Sequence, residues 1–274
     1  MSDLAIHPTT RERLDHLISD PPHAILVRGA AGSGLDTLGG WLATNLADKA
    51  TTITHIYPEK EGITIEQVRS LYVATRNRGT RSIMVLHEAD KMGEPAQNAC
   101  LKLLEEPTEG TIFILLARPR GHLLPTIESR ATAIDVLPIT SQDSRALVSA
   151  ANPSLAPAET AQILFIAGGL PAELTRLATD QAYRQRQFAL ARDAKAILNA
   201  KTAERLVLAR SYAASRESAE RLLLMIAYML QFQVLRGAPP DTVKKLDRVN
   251  EALKNLSRYG NARLQLLGSL LPVQ

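Results

Sequence analysis

The sequence predicts a parallel α/β domain followed by all-helical segments. Five short runs rich in Ile, Val and Leu stand out in the first 139 residues, at 24–27, 52–57, 82–86, 111–117 and 133–139. Several are near-continuously apolar rather than alternating, the pattern of strands covered on both faces. Helical periods lie between them. Ile65, Val68, Leu71 and Tyr72 recur at three- and four-residue spacing, as do Ala96, Ala99, Cys100, Leu103 and Leu104. Pro95 sits where a first-turn proline is tolerated, and Pro107 follows where a helix must stop. Strands alternating with helices imply a parallel sheet. From Thr140 the strand signal disappears.

The helical part divides in two. A helix start at Thr140 is followed by a turn-rich break at 152–157, a short helix over 158–167 closed by Gly168-Gly169, and another over 171–179. Longer amphipathic stretches then cover 182–199, 203–215, 218–236 and 241–259. In the last, Val243, Leu246, Val249, Leu253 and Leu256 make one stripe, opposite Lys244, Lys245, Arg248 and Lys254. The expected domains are an α/β core at 1–139, a small helical domain at 140–179 and a C-terminal helical bundle at 180–274.

Composition bounds the function. The 274 residues carry 32 Lys+Arg against 28 Asp+Glu, a formal charge of +4, too small to argue nucleic-acid binding by itself. Cys100 is the single cysteine, and the six histidines show no ligand spacing, so no disulfide framework and no metal centre are expected. The first residues lack a signal-peptide pattern. The longest apolar run, 222–235, is interrupted by Gln231 and Gln233 and is too short to span a bilayer. A soluble, cytoplasmic protein is expected.

The first strand runs into Gly29-Ala30-Ala31-Gly32-Ser33-Gly34-Leu35-Asp36-Thr37. Glycines at these offsets let backbone N–H groups curl around an anion at a helix N-terminus. The full phosphate-loop pattern needs Lys and then Ser or Thr after the second glycine. Leu35 and Asp36 stand there instead. Leucine cannot neutralise a phosphate, and Asp36 would face a polyanion. Two like charges about 4 Å apart repel by roughly 4 kcal/mol at an effective dielectric near 20. That order of penalty is two to three decades of affinity, which magnesium could soften by bridging. A glycine-rich turn without a ligand is the preferred reading, residual nucleotide binding the second and hydrolysis the last. The third strand departs in the same way. Where a nucleotide site ends a strand in Asp-Glu, this one ends in His87-Glu88. Glu88 alone there reads first as a capping or ion-pairing residue, and only second as catalytic.

Several segments carry a family resemblance. Ala96-Gln97-Asn98-Ala99-Cys100-Leu101-Lys102-Leu103-Leu104-Glu105-Glu106-Pro107 and Leu123-Leu124-Pro125-Thr126-Ile127-Glu128-Ser129-Arg130-Ala131 resemble two motifs of bacterial clamp-loader AAA+ subunits, those of the delta-prime type above all. The strand at 23–29, the helix opening at 63–69 and Gly168-Gly169-Leu170-Pro171 agree with them. The resemblance covers residues 23–171 and implies an AAA+ five-stranded sheet, a helical lid and a C-terminal collar. It also implies a place in a hetero-oligomeric ring that loads a sliding clamp on primed DNA. It makes Arg130, with Ser129, an arginine finger reaching into a neighbour's ATP site. Guanidinium, always charged and planar, suits phosphate oxygens. An ordinary ion pair of Arg130 with Glu128 or Asp135 is the bland alternative.

The departures extend beyond the loop. The four-cysteine zinc module of bacterial relatives is absent, Ala117 or Arg118 stands at the first sensor, and Ala172 and Glu173 stand where a sensor arginine would. No cofactor is therefore expected, and no intrinsic ATPase. The competing readings are a self-sufficient AAA+ ATPase with an atypical phosphate loop and a standalone DNA-binding protein. Arg76, Arg78 and Arg81 are candidates for DNA-backbone contact, and Arg118 and Arg120 for an acidic partner or a phosphate.

Overall fold

The alternation of apolar side chains decides the layering. In Ala24–Arg28 (β1), Ser82–Leu86 (β3) and Thr111–Ala117 (β4), even and odd positions are both apolar. Ala24, Leu26, Met84, Leu86, Phe113 and Leu115 face one core, and Ile25, Val27, Ile83, Val85, Ile112 and Ile114 the other. A strand buried on both sides needs helices on both sides. The computed structural model describes residues 4–59, 62–74, 81–119, 121–257 and 260–270, and in it the first core is covered by Ile65–Ala74 (α3) and Glu94–Glu105 (α4). The second is covered by Pro8–Ser19 (α1) and Leu35–Leu46 (α2). Thr52–Ile56 (β2) and Thr132–Asp135 (β5) complete a five-stranded parallel sheet in the order β2-β3-β4-β1-β5.

The fifth strand is shorter than its apolar run. The last ladder bond is the Val136 N–H to the Arg28 carbonyl at 2.7 Å, after which the Leu137 N–H turns to the Thr10 hydroxyl at 3.2 Å. Pro138, which has no donor, follows. Beyond a four-residue helix, Pro125–Glu128 (α5), the chain enters Ser141–Ala151 (α6), capped by the Thr140 hydroxyl on the Asp143 N–H. Pro157–Ala167 (α7) and Pro171–Thr179 (α8) pack with it.

The chain divides into two units, Met1–Asp180 and Gln181–Gln274. The second is built from Gln181–Asn199 (α9), Thr202–Ala209 (α10), Arg216–Leu235 (α11), Pro240–Ser257 (α12) and Ala262–Leu270 (α13). The segment 203–215 reads as one helix in sequence but breaks into α10 and a 3-10 turn at Tyr212–Ala214. The break brings the Tyr212 hydroxyl to Asp193 at 2.8 Å, and burial, aided by that bond, pushes the phenol to about 12. The stripe on α12 holds at Val249 and Leu256, which are buried with Ala252, and shifts at its start, where Thr242 is buried and Val243 is 40% exposed.

Arg205 ties this unit together. Its guanidinium donates to the carbonyls of Ile197 (3.1 Å), Ala200 (2.9 Å) and Leu270 (3.0 Å), orphan acceptors at the ends of α9 and α13. Arg216 does the same for the Leu256 carbonyl at the end of α12. Arg205→Met is expected to lower stability by about 2–3 kcal/mol, because charged hydrogen bonds are lost and carbonyls orphaned. Chemical denaturation of the full chain checks this, and a loss below about 0.5 kcal/mol would mean that water replaces the guanidinium.

Candidate functional site

The carboxyl ends of β1, β3 and β4 meet at one edge of the sheet, where ligands bind in open α/β folds. β1 hands the chain to Gly29, whose N–H donates to the Ala117 carbonyl at 3.1 Å. Gly32 and Gly34 take φ of +88° and +80°, and Gly34 caps α2. Only glycine adopts these values readily. A Cβ on Gly32 would also approach the Glu173 Cβ to 2.9 Å. The loop thus has the backbone turns of an anion cradle.

Its side chains supply no cation. Leu35, at the lysine position, packs half-buried against the core formed by Leu38, Leu42 and their neighbours. Asp36, at the hydroxyl position, reaches His87, which stands where the third strand would supply a metal-binding carboxylate. Their separation, Oδ1 to Nδ1, is 2.6 Å. The two departures from the nucleotide-site pattern are therefore one contact. With the carboxylate accepting, Nδ1 of His87 carries a proton, and Nε2 of the same ring shares a hydrogen bond with Nδ1 of His55 at 2.9 Å. Both ring nitrogens of His87 are engaged, so neither lone pair is left for a metal. His87 is 1% exposed, and its ring stacks on Tyr57 at 4.0 Å between centroids. Burial, and then the neighbouring His87, hold the His55 imidazole below its usual range.

Glu88 follows in a left-handed conformation, φ 49° and ψ 48°. It pairs with Lys91 at 2.6 Å and with Arg118 at 3.1 Å. The Lys91 hydrogen bond, reinforced by both cations, keeps its carboxyl below the ordinary carboxylate range. The Arg118 N–H also donates to Asp90 at 3.2 Å. Around the loop lies a cavity of about 230 Å³, lined among others by Asp36, Glu88, Asp90 and Arg118. Its lining therefore includes three carboxylates and one guanidinium, the latter already paired. Arg120, Arg76 and Arg78 lie outside the described residues.

The second-sensor segment closes on the loop from above. The N–H groups of Ala172 and Glu173, in the first turn of α8, donate to the Gly32 carbonyl at 2.9 and 3.1 Å. Thr37 lines a larger cavity of about 580 Å³ with Leu4, Ile6, Ile139 and Arg176. Nothing in the sequence pattern announces that cavity, because Leu4 and Ile6 come from the mixed-polar N-terminal segment. Ser33 is buried beside it, and its hydroxyl has no partner among the described residues. Ser33→Ala is expected to leave stability unchanged or raise it by up to about 1 kcal/mol, since a lone buried hydroxyl costs free energy. A clear loss in thermal unfolding would show that the hydroxyl has a partner in solution.

A second group of residues forms at the turn after α5. Ser129 is exposed, its hydroxyl donating to the Thr126 carbonyl at 3.1 Å. Arg130 pairs with Glu105 at 2.8 Å and donates to the Thr126 carbonyl at 2.9 Å. Glu128 and Asp135, the partners the sequence suggests for it, belong instead to Arg28. That residue forms a two-bond fork with Asp135 (2.8 and 3.1 Å) and lies 3.8 Å from Glu128. Ala131 packs on the first core.

The architecture and the sequence each have relatives. A family model described as DNA polymerase III, delta subunit, matches residues 47–140. DNA polymerase III subunit delta-prime of Pseudomonas aeruginosa is 30% identical over 182 residues, 57% of this chain and 55% of that protein. The same subunit of Haemophilus influenzae is 28% identical over 132 residues, 39% of this chain and 40% of that one. A DNA polymerase III gamma subunit-related protein of Thermotoga maritima superposes with a TM-score of 0.56 at 20% identity, covering 94% of this chain and 96% of its own. The chain shares the fold of that protein and is similar in sequence to DNA polymerase III delta-prime subunits. It spans 55% and 40% of the length of the two delta-prime relatives. The RuvB Holliday junction branch migration motor of Thermotoga maritima superposes with a TM-score of 0.51 at 17% identity, covering 93% of this chain and 86% of its own. Among the described residues no helix is long and apolar enough to cross a membrane, and no group of three or more His, Cys, Asp and Glu could hold a metal ion.

Proposed function

We propose that the chain is a non-hydrolysing, delta-prime-like subunit of a cytoplasmic clamp loader. It would work through contacts with sister AAA+ chains while the assembly opens a sliding clamp and places it on primed DNA. The observation that carries this reading is the 2.6 Å contact between Asp36 and His87. The two positions that would ligate magnesium in an active site are spent on each other, and Leu35 withholds the phosphate-binding cation. A subunit of this kind contributes in trans. Arg130, with Ser129 beside it, offers the guanidinium that a neighbour's transferring phosphoryl group requires.

The reading is tested by co-purification and turnover. Tagged chain recovered from native cells should bring sister AAA+ chains with it, and by itself it should hydrolyse no ATP above background. The left-handed Gly32 and Gly34 keep the backbone shape of a phosphate loop, which favours one alternative, an ATPase with an atypical loop. Magnesium-dependent turnover by the purified chain, abolished by Glu88→Gln, would establish that alternative and remove the first reading.

A further inference from the structure

Helix α4 does more than cover the sheet, because it holds the Ser129–Arg130 turn at two points. Gln97, 4% exposed, sits one turn into the helix. Its Nε2 donates to the carbonyls of Met92 (2.9 Å) and His122 (2.6 Å), and its Oε1 accepts from the Leu124 N–H (2.7 Å). The bonds to His122 and Leu124 fix where α5 begins. Eight residues on, at the last turn, Glu105 meets the Arg130 Nη2 at 2.8 Å. The Thr126 carbonyl and, at 3.4 Å, the Ser129 hydroxyl take the other terminal nitrogen.

We infer that Glu105 is a positioning residue for Arg130, aligning its guanidinium for a phosphate of the neighbouring subunit. This rests on the finger reading above. Two features argue for alignment rather than storage. Guanidinium has five N–H donors, and three are engaged here. The remaining two, with no partner among the described residues, are free to meet an oxyanion. The pair is also too exposed to matter much for stability, with side chains 37% and 46% accessible. Such exposed ion pairs contribute little to folding. What the carboxylate does supply is orientation. A flexible arginine pays rotamer entropy each time it docks, whereas a fixed one has met that cost on folding.

The test uses the assembled complex, with ATP as the probe and steady-state turnover as the readout. Glu105→Ala is expected to lower kcat about tenfold with KM for ATP unchanged, and Glu105→Gln, whose amide oxygen can still accept the bond, to restore at least half the rate. Thermal-unfolding midpoints of the free variants should match wild type within about 3 °C, so that misfolding does not account for the loss. Turnover by Glu105→Ala equal to or faster than wild type, while Arg130→Ala is slow, overturns the positioning role and leaves the finger standing. Full turnover by Arg130→Ala removes the finger itself.

Discussion

Arg130→Ala is expected to slow ATP turnover by the assembled complex about 10³-fold or more at each site that the chain completes, without changing its own fold. Arginine fingers supplied in trans are worth about 10³–10⁵ in rate. The guanidinium acts on charge that develops during transfer, so kcat should fall far more than nucleotide affinity. Folding should be nearly untouched. The side chain makes one half-exposed ion pair and bonds to the Thr126 carbonyl and the Ser129 hydroxyl, while the turn itself is held by Gln97 and by the Arg28–Asp135 fork. Lysine at 130 should rescue poorly, because a point charge cannot reproduce the planar fork. If only one of several ATP sites borders this chain, the slowing should appear as loss of that site's share of the turnover. Single-turnover measurement on the complex resolves the two cases.

The second large effect is a gain. The triple variant Leu35→Lys, Asp36→Thr, His87→Asp should raise Mg·ATP affinity of the isolated chain by at least two to three decades. It removes a like-charge repulsion of roughly 4 kcal/mol and adds a cation, and each 1.4 kcal/mol is about tenfold. Asp36→Thr alone should gain much less, because His87 still stands at the metal position. His87→Asp alone should gain nothing and cost stability, since it sets two carboxylates where a bonded pair was. The effects of positions 36 and 87 are thus expected to be strongly non-additive. Lys at 35 is tolerable because its stem can cover the apolar surface that Leu35 now covers. A folded triple variant with unchanged affinity, measured by calorimetry, would show that the backbone turns around Gly32 and Gly34 do not form a phosphate cradle.

The sheet was legible because its three central strands, β1, β3 and β4, are buried on both faces and announce themselves as continuous apolar runs. Four of the five begin and end within about one residue of the expected positions. The fifth ends early because its last residues are recruited by α1, through Thr10, and periodicity cannot see a partner 127 positions away. The break in 203–215 is hidden for the same reason, being set by the bond from Tyr212 to Asp193. At the loop, the sequence exposed each substitution separately. That Asp36 and His87 touch could not be read from residues 51 positions apart without the strand order that juxtaposes them. The partner of Arg130 followed the same logic. The residues close to it in sequence, Glu128 and Asp135, were drawn to Arg28 by sheet register, leaving Glu105 from a distant helix end.

The measurement that bears most directly on all of this is calorimetric titration of the purified wild-type chain with Mg·ATP. An acid and an imidazole bonded to each other in place of a metal predict no saturable heat, with any Kd weaker than about 1 mM. Magnesium-dependent binding in the micromolar range would contradict it.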